Sequence, residues 1–225
     1  MKRILAVAAL VLALSVSASA QREYGYGHGR SHSRGRDYLP DMSQVVNNAH
    51  IGYGAILTKY WGSHTGLLAG WSQMVPLSSY DPFFLDYGLD LRYSFHSRDN
   101  ETDVNRKLMA LDLPVSLDYA IPVGSALTLL PYAGLDVTFN LWGRYNPSDA
   151  KSYSYFGDKM DADANYYRFI LGAHAGLKAI IGTVTVGLCY QQDLTRLAKA
   201  EEVVGKTYKK TRYVYAPIVT VGYNF

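Results

Sequence analysis

The chain has 225 residues, 48% of them hydrophobic and 18% charged, with 20 Tyr, 20 Gly, one Cys and a formal net charge of +3. One cysteine excludes an intrachain disulfide. So small a net charge gives no sign of a nucleic-acid binder or of a strongly charged partner.

Residues 1–20 have the pattern of a secretory signal peptide. Lys2 and Arg3 supply the positive start, residues 4–14 the apolar stretch, and Ala18-Ser19-Ala20 a small-residue cleavage site before Gln21. The apolar stretch is short for the ~30 Å of a bilayer core, which argues against a membrane anchor. No Cys follows the cleavage site, which argues against a lipoprotein. The pattern predicts an exported, bacterial protein. Residues 21–48 form a leader rich in Gly, Arg, His, Ser and Tyr, too poor in apolar surface to offset its chain entropy, so a disordered segment is expected. His28 and His32 lack a third ligand, and no metal or other cofactor is expected there.

From residue 49 onward the chain reads as strands separated by turn chemistry. The first two are expected at 49–60 and 65–76. The third, 83–97, alternates Phe83, Leu85, Tyr87, Leu89, Leu91, Tyr93 and Phe95 against a face carrying Asp86, Asp90 and Arg92. The fourth, 106–119, sets Met109, Leu111, Leu113, Val115, Leu117 and Tyr119 against a face that includes Asp112 and Asp118. The fifth, 125–142, places Leu127 through Leu141 opposite Asp136, and the sixth, 166–180, places Tyr167 through Ala179 opposite Arg168, His174 and Lys178. The seventh and eighth are expected at 183–194 and 212–225. The closing run Tyr213, Tyr215, Pro217, Val219, Val221, Tyr223, Phe225 is aromatic, apolar or proline at every second position. Its end, with Val221, Tyr223 and Phe225, resembles the assembly signal of bacterial outer-membrane β-barrels.

No stretch of the mature chain approaches the ~20 apolar residues of a membrane helix. A membrane location then requires a closed barrel, because only helices and barrels satisfy every backbone polar group in lipid. The fold class expected is all-β, an antiparallel transmembrane β-barrel of about eight strands over 49–225. Connections alternate between short (77–82, 120–124, around 181–182) and mostly long (97–105, 143–165, 195–211), as short periplasmic turns and surface loops would. Tyr60-Trp61, Tyr93, Phe95, Trp142, Tyr166-Tyr167, Tyr190 and Tyr213 would form an outer aromatic belt, and Phe83, Tyr119, Tyr223 and Phe225 an inner one. A soluble lipocalin-like barrel shares the strand count but packs the other way, apolar side in. The isolated charges among Gly, Ser and Thr favour the membrane reading, because glycine weakens a strand unless a crowded lumen requires it.

The segments 109–119 (Met-Ala-Leu-Asp-Leu-Pro-Val-Ser-Leu-Asp-Tyr), 129–135 (Leu-Leu-Pro-Tyr-Ala-Gly-Leu) and 216–225 (Ala-Pro-Ile-Val-Thr-Val-Gly-Tyr-Asn-Phe) resemble strands of the small porin-like outer-membrane β-barrel family widespread in Bacteroidota. The resemblance covers residues 49–225 and implies architecture more than activity. The 21–48 leader is longer and richer in Gly, Arg and His than the resemblance requires.

A narrow eight-stranded barrel is filled by its own side chains. Asp86, Asp90, Arg92, Asp112, Asp118, Asp136, Arg168, His174 and Lys178 are expected to pair there as a charge network plugging the lumen, since buried charges persist only when paired. Cys189, between Gly187 and Gln191 on the inward face, reads as a small packing residue. Tyr145, Tyr153, Tyr155, Lys206, Lys209 and Lys210 are the expected surface-loop contacts, toward a ligand or the phosphates of lipopolysaccharide. A lipid A-modifying enzyme would need His96, Ser97 and Asp99 to cooperate, but adjacent strand residues point to opposite faces. The function expected is a structural or surface-interaction role, not enzymatic. A narrow passive pore is the first alternative and the lipid-modifying enzyme the second. The expected partners are outer-membrane lipid, lipopolysaccharide and the barrel-assembly machinery, with a monomeric barrel in the outer membrane, leader in the periplasm and long loops at the cell surface.

Overall fold

The computed structural model describes residues 44–58, 62–78, 82–96, 104–123, 126–147, 153–156, 166–195, 201–203, 206–208 and 214–225. The predicted signal segment and most of the predicted leader lie outside these residues. The strands in chain order are β1 (Val46–Thr58), β2 (Gly62–Pro76), β3 (Phe83–His96), β4 (Val104–Tyr119), β5 (Ile121–Val123), β6 (Leu127–Pro147), β7 (Tyr153–Ser154), β8 (Phe169–Ile181), β9 (Val184–Asp193), β10 (Glu201–Val203), β11 (Lys206–Tyr208) and β12 (Val214–Asn224).

Eight of them close a ring, β1-β2-β3-β4-β6-β8-β9-β12, every neighbour antiparallel. Pairing of β1 with β12 seals the seam, where Asn47 and Phe225 exchange two backbone hydrogen bonds. The shortest barrel strand, β9, has 10 residues, enough for a tilted strand to cross the hydrocarbon layer. The β8–β9 turn is two residues long, with Gly182 at φ 59°, the left-handed region that glycine enters without strain. The other two connections at this turn end run through 77–82 and 120–126, while the long connections gather at the opposite, loop end.

The expected leader overlaps the barrel, since β1 begins at Val46 and its Asn48 is buried. The expected loop 195–211 contains the β10–β11 hairpin, and the expected loop 143–165 is shortened because β6 runs on to Pro147 and pairs with β7. The larger departure is in β6. Met109 pairs with Trp142 but Ala110 with Asn140, so Leu141 is an extra residue, a β-bulge. Leu141, expected outward, is where the alternation resets. Beyond it Trp142 and Arg144 are exposed and Gly143 is buried.

The alternation elsewhere gives the barrel an inverted packing. Ile51, Leu89, Leu135, Leu188 and Val219 are exposed on the outer wall, at 68%, 43%, 54%, 59% and 50% of full accessibility. Asp86, Asp112, Asp118, Asp136 and His174 are buried inside. An apolar band encircling a barrel has no stable place in water, where each Å² costs roughly 25 cal/mol and contiguous patches beyond a few hundred Å² mark a contact surface. Hydrocarbon removes that cost. The lipocalin-like alternative required the opposite arrangement and does not describe this chain.

Candidate functional site

The lumen is built in three layers. At the turn end, Val46, Met74, Phe84, Ala120, Leu130 and Ile180 pack into an apolar stopper. At the loop end a second stopper consists of Tyr155, Tyr166, Ile170, Val214, Ala216 and Ile218, with Leu68, Leu108, Phe156 and Cys189 against it. The rings of Tyr155 and Tyr166 stack at 4.2 Å and 5°.

Between the stoppers lie three polar groups. In the first, Arg92 on β3 donates from Nη2 to Asp112 on β4 at 3.2 Å and from Nη1 to Gln191 on β9 at 3.0 Å. Gln191 Nε2 donates to Asp136 on β6 at 2.7 Å, and Asp136 meets His174 Nδ1 on β8 at 3.2 Å. Thr138 donates its hydroxyl proton to Asp112. In the second group, Lys178 on β8 crosses the lumen to Asp86 on β3 and to Asp118 on β4, the latter at 2.6 Å. Ser116 also donates to Asp118 at 2.6 Å, and the ammonium lies 4.4 Å from the Tyr132 ring centre. In the third, His50 on β1 links Asp90 on β3, at 2.9 Å, to Asn48, at 3.0 Å. Asn48 Nδ2 donates to Asn224 on β12 at 2.7 Å, and Thr185 on β9 donates to the same Asn224 oxygen at 3.0 Å. Charges so enclosed are tolerable only with such partners.

The register explains why these partners are needed. Asp90 and Asp112 are direct cross-strand partners, an arrangement of like charges that repels. Each turns away to its own partner, Asp90 to the His50 imidazole and Asp112 to the Arg92 guanidinium. The glycines belong to the same geometry. A Cβ at Gly70 would collide with the Asp90 carboxylate, and one at Gly172 with that of Asp136. About 110 Å³ of space remains beside the polar layer, bordered by Asp86, Asp90, Asp136, Lys178, Cys189 and Asn224 among others.

Two expected site residues lie elsewhere. Arg168, expected in the lumen, precedes the first residue of β8 and is exposed, its guanidinium 4.5 Å from the Phe156 ring centre. The alternation that would have turned it inward begins only with the sheet. Tyr155, expected as a surface contact, is 1% exposed and fills the barrel mouth, because buried Gly143 leaves room for its ring. Tyr145 and Tyr153 are backbone partners across β6 and β7, and Lys206 lies in β11. Lys209, Lys210, Ser97 and Asp99 lie outside the described residues. His96 packs near His64, ring centres 5.1 Å apart. Val221, Tyr223 and Phe225 all point outward and are exposed.

His50, Thr138, Gln191, Asn48 and Asn224 were not expected in the network. Their inward parity was legible, but their partners depend on the register across strands far apart in sequence.

An apolar wall outside, a paired polar layer within and a closed ladder of eight strands define a transmembrane β-barrel. No protein-family model matches the chain, and no curated protein matches it. Solved structures similar to it include Neisserial surface protein A, at 14% identity and TM-score 0.46, covering 80% of this chain and 97% of that one. Ail, the attachment invasion locus protein of Yersinia pestis, is similar at 9% identity and TM-score 0.46, again over 80% and 97%. The outer membrane enzyme PagL is similar at 13% identity and TM-score 0.40, over 76% and 98%.

Proposed function

We propose that the protein is a monomeric outer-membrane β-barrel with a structural or surface-binding role, neither a channel nor an enzyme. The export pattern at residues 1–20, the apolar outer wall and the exposed Val221, Tyr223 and Phe225 support that location. On this reading the leader lies in the periplasm, the long loops at the cell surface, and the assembly machinery reads the last strand. The observation that carries the closed lumen is the bond from Arg92 to Gln191 between strands on opposite walls, enclosed by an apolar stopper at each end. A permeating ion would have to part both stoppers and the ion-paired layer between them. Binding then falls to the loop end, through Tyr145, Tyr153, Lys206, Lys209 and Lys210, with Tyr155 reassigned to the stopper.

Purified protein in planar bilayers is expected to give no stable conductance; large steady channels would overturn the closed lumen. Replacing Tyr145, Tyr153, Lys206, Lys209 and Lys210 by serine, with Tyr155 retained, is expected to abolish adhesion of expressing cells to host-cell or matrix surfaces while the barrel stays folded. Unchanged adhesion would remove the loop assignment.

A further inference from the structure

Among the outward-facing described side chains of the eight barrel strands, Lys107 and Arg144 alone are charged. They are also direct cross-strand partners, on β4 and β6. Opposite cross-strand positions bring Cβ atoms within about 5 Å, and like charges so placed repel. Inside the barrel the comparable conflict between Asp90 and Asp112 is relieved by His50 and Arg92. On the outer wall no described carboxylate pairs with Lys107 or Arg144.

The backbone goes out of its way to build this pair. Without the bulge at Leu141, the alternation of β6 would turn Arg144 into the lumen; with it, Arg144 faces out beside Lys107. Bulges re-aim side chains in this way at sites of use. The depth is also defined. The next outward pair toward the turn end is Met109 and Trp142, with the Arg144 guanidinium 5.4 Å from the Trp142 ring centre. Phe95 is the partner of Lys107 on the other side, and Tyr93 follows below it. Aromatic rings mark headgroup depth, so the two cations stand at the level where a lipid carries its phosphate.

We propose that Lys107 and Arg144 form a binding site for the phosphate group of a membrane glycolipid in the leaflet at the loop end. An ammonium and a guanidinium side by side supply donors to several oxygens of one phosphate, the guanidinium in its planar fork. The anion converts their mutual repulsion into shared attraction. The proposal rests on the membrane reading of the outer wall and differs from the loop lysines, which sit on other segments.

The test uses the full mature chain folded in detergent micelles and examined by native mass spectrometry. The probes are diphosphorylated lipid A, the same lipid stripped of phosphate, and inorganic phosphate alone. Heat-modifiable gel migration first establishes that each variant is folded, so a failed barrel is distinguished from a failed site. The expected result is a phosphate-dependent lipid adduct. Lys107→Ala with Arg144→Ala should weaken it by roughly 25-fold, about fivefold per cation. The exchange Lys107→Arg with Arg144→Lys should retain it, as should the loop variant Arg196→Ala with Lys199→Ala, two cations given no part in binding. Equal binding of the stripped lipid, an unaffected double-alanine variant, or an equal loss in the loop variant would overturn the site. Inorganic phosphate binding as tightly as lipid A would overturn the assignment to a lipid.

Discussion

Arg92 and Gln191 lie on β3 and β9, four strands apart around an eight-stranded ring, and the guanidinium donates to the amide oxygen at 3.0 Å. Two side chains therefore span the barrel from wall to wall. The same Arg92 neutralises Asp112, and the same Gln191 donates to Asp136, so both acids depend on this rib.

Arg92→Leu strands the buried Asp112 without its cation, and a broken buried pair costs about 3–5 kcal/mol. Gln191→Leu removes neutral bonds and should cost less, about 1–3 kcal/mol. Urea unfolding in micelles, followed by tryptophan fluorescence, checks the order; an equal or reversed order would contradict the role given to Arg92.

Lys178, two strands from β4 and three from β3 around the ring, holds Asp86 and Asp118 together. Lys178→Met leaves two enclosed carboxylates facing each other and should destabilise the barrel by about 3–5 kcal/mol. Adding Asp86→Asn and Asp118→Asn removes the uncompensated charge and should recover much of the loss. Absence of recovery in the urea midpoint would mean that Lys178 acts through packing, not charge.

Gly134 and Gly187 separate two kinds of crowding. A Cβ at Gly134 would lie 2.6 Å from the Cα of Ser116, which cannot move without shifting β4. A Cβ at Gly187 would meet the Thr220 hydroxyl, a side chain that can rotate, with the next atom 3.7 Å away. Gly134→Ala should cost about 1–3 kcal/mol and Gly187→Ala well under that. Comparable losses in the two unfolding curves would count against the close approach at Gly134.

Two stoppers in series predict a non-additive opening. Tyr155→Ala or Phe84→Ala alone leaves one apolar plug in place, and bilayer recordings should remain without steady conductance. The double variant removes a large ring from each end and should produce frequent openings. Steady channels from either single variant would mean that one end alone closes the lumen.

The strand order and inward face of β3 and β4 were readable from the sequence because strand alternation is local, each residue reporting its own side. Asp86, Asp112 and Asp118 follow it into the buried interior, and Asp90 follows it toward His50. Alternation failed where the ladder itself changes. The bulge at Leu141 inverts everything after it, and Arg168 stands one residue before its strand begins. Tyr155 reads as a loop aromatic because nothing nearby announces that Gly143 has left a space for it. The pairing of His50 with Asp90 and of Arg92 with Gln191 depends on the register around the closed ring. No local signal encodes that register.

Each of these outcomes depends on the apolar wall facing acyl chains. Leu188 and Val219 are register partners on β9 and β12, both exposed on that wall. The direct measurement places a bimane label at Leu188→Cys or Val219→Cys in a Cys189→Ser background and reconstitutes the protein in bilayers. Brominated acyl chains should quench both labels strongly and aqueous iodide should leave them bright. Quenching by iodide, with no response to brominated lipid, would contradict the account.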